Sequence, residues 1–190
     1  MAEKDKNKGK KEQKPQKKKT PKFKKSTIKK LNLETNVGKI TIELFDKLAP
    51  KHVERVLSLA NKGLYDNVVF HRVIDGFMAQ TGDVKNGNSS SSDFNLRMAG
   101  TGGSDLPDLK QEFNSIPHDR GTLSMARSSD PDSANSQFFI CFEQASFLDR
   151  QYTVFGKVIE GMEFVDMIKR GDPNSGAVPN PDKIISLKSK

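Results

Sequence analysis

Residues 68–83 read VVFHRVIDGFMAQTGD. Val68, Val69, Phe70, Val73 and Ile74 are what a buried strand wants, and the β-branched residues favour an extended chain. His71 and Arg72 interrupt that run with a polar ring and a permanent charge. An edge strand accommodates such an arginine by packing its stem and extending its head to water. A second reading places the guanidinium at the rim of an apolar pocket, where its rigid fork of five donors serves as a fixed hydrogen-bonding group. Phe77, Met78 and Gln80 follow within a few residues, and they supply both apolar walls and an amide.

Outward from this stretch, short strands recur between Gly, Asp, Asn and Ser breakers. LNLET and KITIELF alternate apolar and polar residues around a turn at Asn36–Gly38, the pattern of a hairpin. VVFHRVI, TLSMA, SQFFICF, YTVFGKVI and KIISLKS read as further strands. Pro50 opens a helix whose Val53, Val56, Leu57 and Ala60 recur at helical spacing, with Gly63 as its stop. EFVDMIKRG reads as a second helix with Gly171 at its C-terminal cap. Many short strands with only two helices predict a closed or nearly closed β-barrel, its ends capped by the helices. Between Asp83 and Phe113 the chain turns polar and Gly/Ser-rich, and a loop of this length inside a compact domain is usually functional or mobile.

The charge is unevenly placed. Residues 1–30 carry 14 lysines and three acids, a net of +11, whereas residues 31–190 carry 18 basic and 21 acidic residues, a net of −3. Phe23 is the one large apolar residue of the tail up to Lys25, so residues 1–27 are expected to be a disordered Lys-rich tail and residues 28–190 a globular domain. Cys141 is the single cysteine, which excludes an intrachain disulfide; within QFFICF it reads as a buried, inert thiol. The N-terminal stretch has charge but no apolar h-region, and no apolar run approaches the ~18 residues of a membrane span. A soluble, cytoplasmic and monomeric protein is the expectation.

The available chemistry is narrow. Three scattered histidines (His52, His71, His118) and one cysteine give no metal-ligand spacing. No nucleophile elbow and no Gly-rich nucleotide loop occurs. Arg72 among apolar side chains remains the feature to explain, with neither metal nor cofactor expected.

FHRVIDGFMAQTGD, then GTLSMA, SQFFI and FLD…VFGKV, in this order and spacing, closely resemble the cyclophilin peptidyl-prolyl isomerases over roughly residues 31–190. The resemblance implies a mainly β fold, an eight-stranded antiparallel barrel closed by two helices, and catalysis of cis–trans isomerisation at X–Pro bonds of proline-containing polypeptides during folding. It implies that Arg72 is the catalytic arginine and that Gln80 holds the substrate backbone. Phe77, Met78, Phe139 and Leu148 match the walls of the proline pocket. Gln137 and the backbone around Ala126 and Arg127 match the edge along which the residue before proline lies. His71 matches a histidine beside the arginine and reads as structural.

Several positions depart from the family pattern. Phe147 stands where many cyclophilins carry tryptophan, which keeps an apolar wall but removes an indole donor and implies weak cyclosporin binding. Tyr152 stands where histidine is common. Arg127 and Ser128 replace an Asn–Ala pair, adding a charge beside the substrate channel; a preference for acidic residues near proline is the expectation. The Ser-rich stretch before Gly100–Gly103 has no family counterpart. A second function competes with catalysis: a cyclophilin-fold binding module docked through its lysines on RNA, a ribosome or another polyanion, with strong salt dependence. An inactive scaffold is the third reading, opposed by the joint presence of Arg72, Phe77, Met78, Gln80 and Phe139.

Overall fold

The hairpin expected around Asn36 is the first element of the computed structural model, which describes residues 27–190. β1 (Lys30–Thr35) and β2 (Gly38–Leu44) pair in antiparallel register from Thr35↔Gly38 to Lys30↔Glu43. Period-two alternation buries Leu31, Leu33, Ile40 and Ile42. Thr35 Oγ1 tightens the turn by accepting from the Val37 and Gly38 amides. The tail expected over residues 1–27 lies, apart from Thr27, outside the described residues.

α1 (Pro50–Asn61) starts at the proline and buries Val53, Val56, Leu59 and Ala60. Leu57, read from spacing as a core residue, is half-buried and packs at the margin of that core. No side chain at the helix's own cap position bonds its first turn. The Glu112 carboxylate, 60 residues away in the chain, accepts from the Lys51 and His52 amides at 3.1 Å each and does that work.

β3 (Arg72–Ile74), β4 (Met78–Thr81), β5 (Thr122–Met125), β6 (Phe138–Cys141), β7 (Val154–Glu160), α2 (Met162–Asp166) and β8 (Ile184–Ser189) complete the fold. VVFHRVI contributes a strand of three residues only, and MAQT, which the strand pattern did not single out, contributes another. α2 is also shorter than read, capped at Met167 rather than Gly171. Beyond it the chain is drawn away by tertiary bonds, from the Lys169 amide to Asp182 and from the Gly171 amide to the Val73 carbonyl.

The eight strands run in the order β3-β4-β6-β5-β7-β2-β1-β8, every pair antiparallel. They form an open, curled half-barrel, which corrects the expected closed barrel. The physical reason lies at the seam. β3's outer edge is taken by the segment 171–177, where the Val73 amide donates to Gly176 O at 2.8 Å and Arg72 bridges Ala177. On the side away from β1, β8 therefore meets the chain before β3: the Ile184 amide donates to Val68 O at 2.9 Å and the Asn67 amide to Ile184 O at 2.8 Å. The contact continues ahead of the strand in the isolated Val69↔Lys183 bridge and the Phe70 amide bonded to Asp182 O at 2.8 Å.

Alternation along β6 settles which aromatic faces where. Phe138 and Ile140 enter the main core, where Phe138 meets Tyr65 and Phe155 edge-on at centroid distances of 5.7 and 6.0 Å. Phe139 and Cys141 face the other way, into a smaller cluster with Met78, Ala145 and Leu148. Antiparallel pairing also sorts the strand ends. The start of β1 lies at the same end of the sheet as the ends of β4 and β5 and the starts of β3, β6 and β7.

Candidate active site

At that end of the sheet Arg72 and Gln80 are direct cross-strand partners on β3 and β4. Arg72 Nη1 donates to Gln80 Oε1 at 3.4 Å, and Arg72 Nε to the Ser175 carbonyl at 3.3 Å. Gln80 Nε2 donates on to Gln137 Oε1 at 3.1 Å, and Gln137 Nε2 donates to the carbonyls of Gly100 and Gly102 at 2.9 and 2.8 Å. One relay thus runs from the guanidinium across β4 and the start of β6 to the glycine loop. Nη2 of Arg72 has no partner among the described residues. Gly176 makes the close approach possible: its φ is +77°, and a Cβ there would stand 2.7 Å from Arg72 Cγ.

Beside the guanidinium lies a cavity of about 110 Å³. Phe77, Met78, Phe139 and Leu148 form its apolar walls, with Ala126, Arg127, Gln80 and Tyr152 at the rim. Tyr152 meets Phe139 edge-on at 6.1 Å. A larger groove of about 510 Å³ adjoins it, lined by Gln80, Gln137, Gly100 to Asp105 and the Arg127–Ser128 backbone. The structure therefore brings together ten of the eleven residues singled out by sequence around these two adjoining depressions. Phe147 is the exception. It is 65% exposed and stacks obliquely on the outer side of Phe77, with ring centroids 5.4 Å apart.

Arg127 has its donors occupied by the chain itself. Nε and Nη2 bond the Gln151 carbonyl at 3.2 and 2.7 Å, Nη1 bonds the Ser128 carbonyl at 2.9 Å, and the guanidinium covers the Tyr152 ring at 4.3 Å. Its fork fixes the shape of the rim.

Two groups that support the site were not legible in the sequence. Asp83, fully buried, accepts from the amides of Lys85, Asn86, Gly100 and Gly102 at 2.8–3.1 Å. It is the hub from which the polar loop after β4 is hung. Beneath the pocket, His118 lies parallel to Phe139 at 6.2 Å, with Nδ1 3.0 Å from Asp149 and Nε2 2.9 Å from Ser124 Oγ. Burial lowers the His118 pKa below its ordinary value, while bonds from the His118 amide and ring lower that of Asp149. A neutral imidazole donating to a carboxylate and accepting from the hydroxyl follows. The order Ser–His–Asp resembles a hydrolytic triad, but Ser124 is completely buried, so the three act as a packed support for Phe139. Ser124 lies on the strand read from TLSMA, but nothing in the sequence pairs it with residues 6 and 25 positions away.

His71 packs its ring under Gly100, whose φ of +97° and missing Cβ leave room for it. Burial, with a lesser push from the Arg72 charge and against the opposing influence of Asp83, drives its pKa down to about 4. Cys141 is buried in the smaller cluster, and burial pushes its thiol up to about 12, so it is no nucleophile. No group of three or more His, Cys, Asp or Glu residues poised to hold a metal occurs among the described residues, and no helix among them is long and apolar enough to cross a membrane.

The model of the cyclophilin type peptidyl-prolyl cis-trans isomerase/CLD family matches residues 30–189. A probable peptidyl-prolyl cis-trans isomerase of Brucella suis is 55% identical over 154 residues, which cover 80% of this chain and 78% of that protein. A peptidyl-prolyl cis-trans isomerase of Helicobacter pylori is 40% identical over 153 residues, covering 78% and 86%. Among solved structures, a cyclophilin type isomerase of Cryptosporidium parvum, crystallised in the presence of the dipeptide Ala-Pro, superposes with a TM-score of 0.73 at 29% identity, over 85% of this chain and 98% of that one. Extending over nearly every described residue and including every element of the pocket, the match shows that this chain belongs to the cyclophilin-type peptidyl-prolyl cis-trans isomerases.

Proposed function

We propose that the chain binds an X–Pro segment with the proline ring in the 110 Å³ cavity and the preceding residues along the Ala126–Gln137 edge, and that Arg72 lowers the barrier to rotation by hydrogen bonding to the prolyl nitrogen. The observation that carries this reading is the placement of a guanidinium, with Nη2 unpartnered among the described residues, directly beside an apolar cavity of Phe77, Met78, Phe139 and Leu148.

Rotation about X–Pro is opposed by a barrier of about 18–20 kcal/mol, because the nitrogen lone pair conjugates with the carbonyl. At the twisted geometry that conjugation is lost and the lone pair localises on nitrogen. A donor aimed at the nitrogen therefore bonds the transition state more strongly than either ground state, which is the requirement for catalysis. Uncatalysed exchange takes roughly 10–100 s. Turnover in ~1 ms needs four to five decades, about 5.5–7 kcal/mol. One charge-assisted hydrogen bond is worth roughly 1.5–3 kcal/mol, so Arg72 supplies part. Clamping the ring between Phe139 and Met78 supplies the remainder, by holding one side of the amide while the other turns and by excluding water from the new bond. Gln80, held by Gln137, fixes both Arg72 and the substrate backbone. No acid, base or cofactor enters this scheme.

The test is an NMR exchange or protease-coupled assay on a short X–Pro peptide, comparing wild type with Arg72→Ala. Rapid wild-type turnover, lost by two or more decades in a folded mutant, is expected. A folded mutant as active as wild type would reduce Arg72 to a packed strand residue.

A further inference from the structure

Resting on that isomerase reading, we propose that the site has an occupant within its own chain: the Lys-rich N-terminal segment presents Thr20–Pro21 to the proline cavity, where the bond is isomerised and where the segment competes with incoming polypeptides.

Topology puts the start of β1, to which the segment leads, at the right place. β1 begins at the end of the sheet that carries the site, beside the end of β2 and the start of β7. From β1 to β5, whose end leads into Ala126 and Arg127, there are three strand spacings, about 15 Å at ~4.8 Å each. Nine Cα-to-Cα steps lead from Pro21 to Lys30, a reach of up to ~30 Å when extended. Thr20–Pro21 thus spans the distance with slack to turn into the cavity, and Lys14–Pro15 has still more.

Charge favours the same occupant. The two loops that build the groove, residues 99–113 and 126–137, contain five carboxylates against Lys110 and Arg127. Asp105, Asp108, Asp130 and Asp132 are exposed, and none forms a salt bridge among the described residues. Arg127 has its donors committed to backbone carbonyls, and Lys85 is the one further cation lining the groove. Residues 10–25 offer nine lysines against Glu12. The sequence also fits: seven of the nine prolines lie within the described domain, whereas Pro15 and Pro21 stand outside it in a polar, Lys-rich stretch. Tethering at this chain length presents a ligand at an effective concentration on the order of millimolar, enough to compete with micromolar substrates.

The experiment follows the cis–trans exchange of Thr20–Pro21 by NMR in the isotope-labelled full chain, at several protein concentrations, with an added X–Pro peptide assayed in the same samples. The expected result is exchange at least 100-fold faster than in full-length Arg72→Ala and independent of protein concentration. In full-length Pro15→Ala/Pro21→Ala, KM for the added peptide should fall at least threefold at low salt, and the difference should close at high salt. Thr20–Pro21 exchange at the uncatalysed rate, in a sample that turns over the added peptide, overturns this proposal and leaves the isomerase reading standing. Exchange that scales with protein concentration assigns the segment to a second copy and overturns the intramolecular assignment. Failure to turn over either bond overturns the isomerase reading, and this proposal with it.

Discussion

Arg72 Nη1 reaches Gln80 Oε1 across the β3–β4 ladder at 3.4 Å, and Gln80 is itself held by Gln137. The guanidinium is therefore aimed by two neutral amides and carries no partner carboxylate among the described residues. A carboxylate in that place would compete for the same donors, whereas an amide oxygen holds the fork and leaves Nη2 without a partner among the described residues. Gln80→Leu keeps the volume and removes the relay. We expect kcat/KM on an X–Pro peptide to fall about 10- to 100-fold, the worth of roughly 1.5–3 kcal/mol of charge-assisted bonding. Arg72→Lys should fall at least as far, because an ammonium cannot bond Ser175, Gln80 and the prolyl nitrogen from one rigid plane.

Asp83 gives a prediction about the loop that frames the groove. Four backbone amides converge on its buried carboxylate. Asp83→Ala leaves those donors unsatisfied, and hydrogen bonds to charged groups are worth about 1.5–3 kcal/mol each. We expect destabilisation of about 3–5 kcal/mol after partial rehydration of the loop, measured as a lowered denaturant midpoint. Protease cleavage should appear within residues 84–102 while the strands stay resistant, since local opening precedes global unfolding where the anchor is lost. A midpoint shift under 1 kcal/mol would contradict the assignment of Asp83 as the hub.

Local pattern explains why the pocket was legible in the sequence and its supports were not. Phe138 and Phe139 must face opposite sides of β6, and the spacing of Arg72, Phe77, Met78 and Gln80 on one hairpin fixes most of the cavity. Resemblance to the family then assigns the pocket to the Phe139 face. Asp83 reaching Gly102, Glu112 capping α1 and His118 linking Ser124 to Asp149 are bonds between side chains and distant partners, which leave no periodic trace. The open seam is of the same kind. Nothing in VVFHRVI says that its outer edge is taken by segment 171–177, yet that pairing keeps β3 to three residues and the barrel from closing.

Protonation of buried histidines should make the fold acid-sensitive. His52, His71 and His118 all have pKa values lowered chiefly by burial, His71 from 6.5 to about 4. In the unfolded chain each titrates near 6.5, so below that pH the unfolded state binds more protons than the native one. Stability is fully present above pH 6.5 and falls as the pH drops from 6.5 towards 4. His71 alone accounts for a loss on the order of 3 kcal/mol across that window, at about 1.36 kcal/mol per unit. Denaturant midpoints at pH 7.5, 5.5 and 4.5 test the trend, and His71→Asn should flatten it. An NMR titration that places the His71 ring near 6.5 in the folded protein would remove the physical basis of the prediction.

Phe147 stands apart from the cavity, 65% exposed against the outer face of Phe77. Its ring excludes water from one side of Phe77 but presents no hydrogen-bond donor to a ligand lying over the pocket. Phe147→Trp restores an indole N–H at that ledge while keeping the apolar contact. A neutral hydrogen bond is worth about 0.5–1.5 kcal/mol, so cyclosporin should bind roughly two- to tenfold more tightly to the variant than to the wild type. The same change should alter kcat/KM for a short X–Pro peptide by less than it alters cyclosporin affinity, because the proposed proline cavity is lined by Met78, Phe139 and Leu148 and not by Phe147. Calorimetric titration of both proteins, alongside the exchange assay, separates the two effects. If the Trp variant gains nothing in cyclosporin affinity, an indole donor at this position does not set that affinity, and the prediction fails.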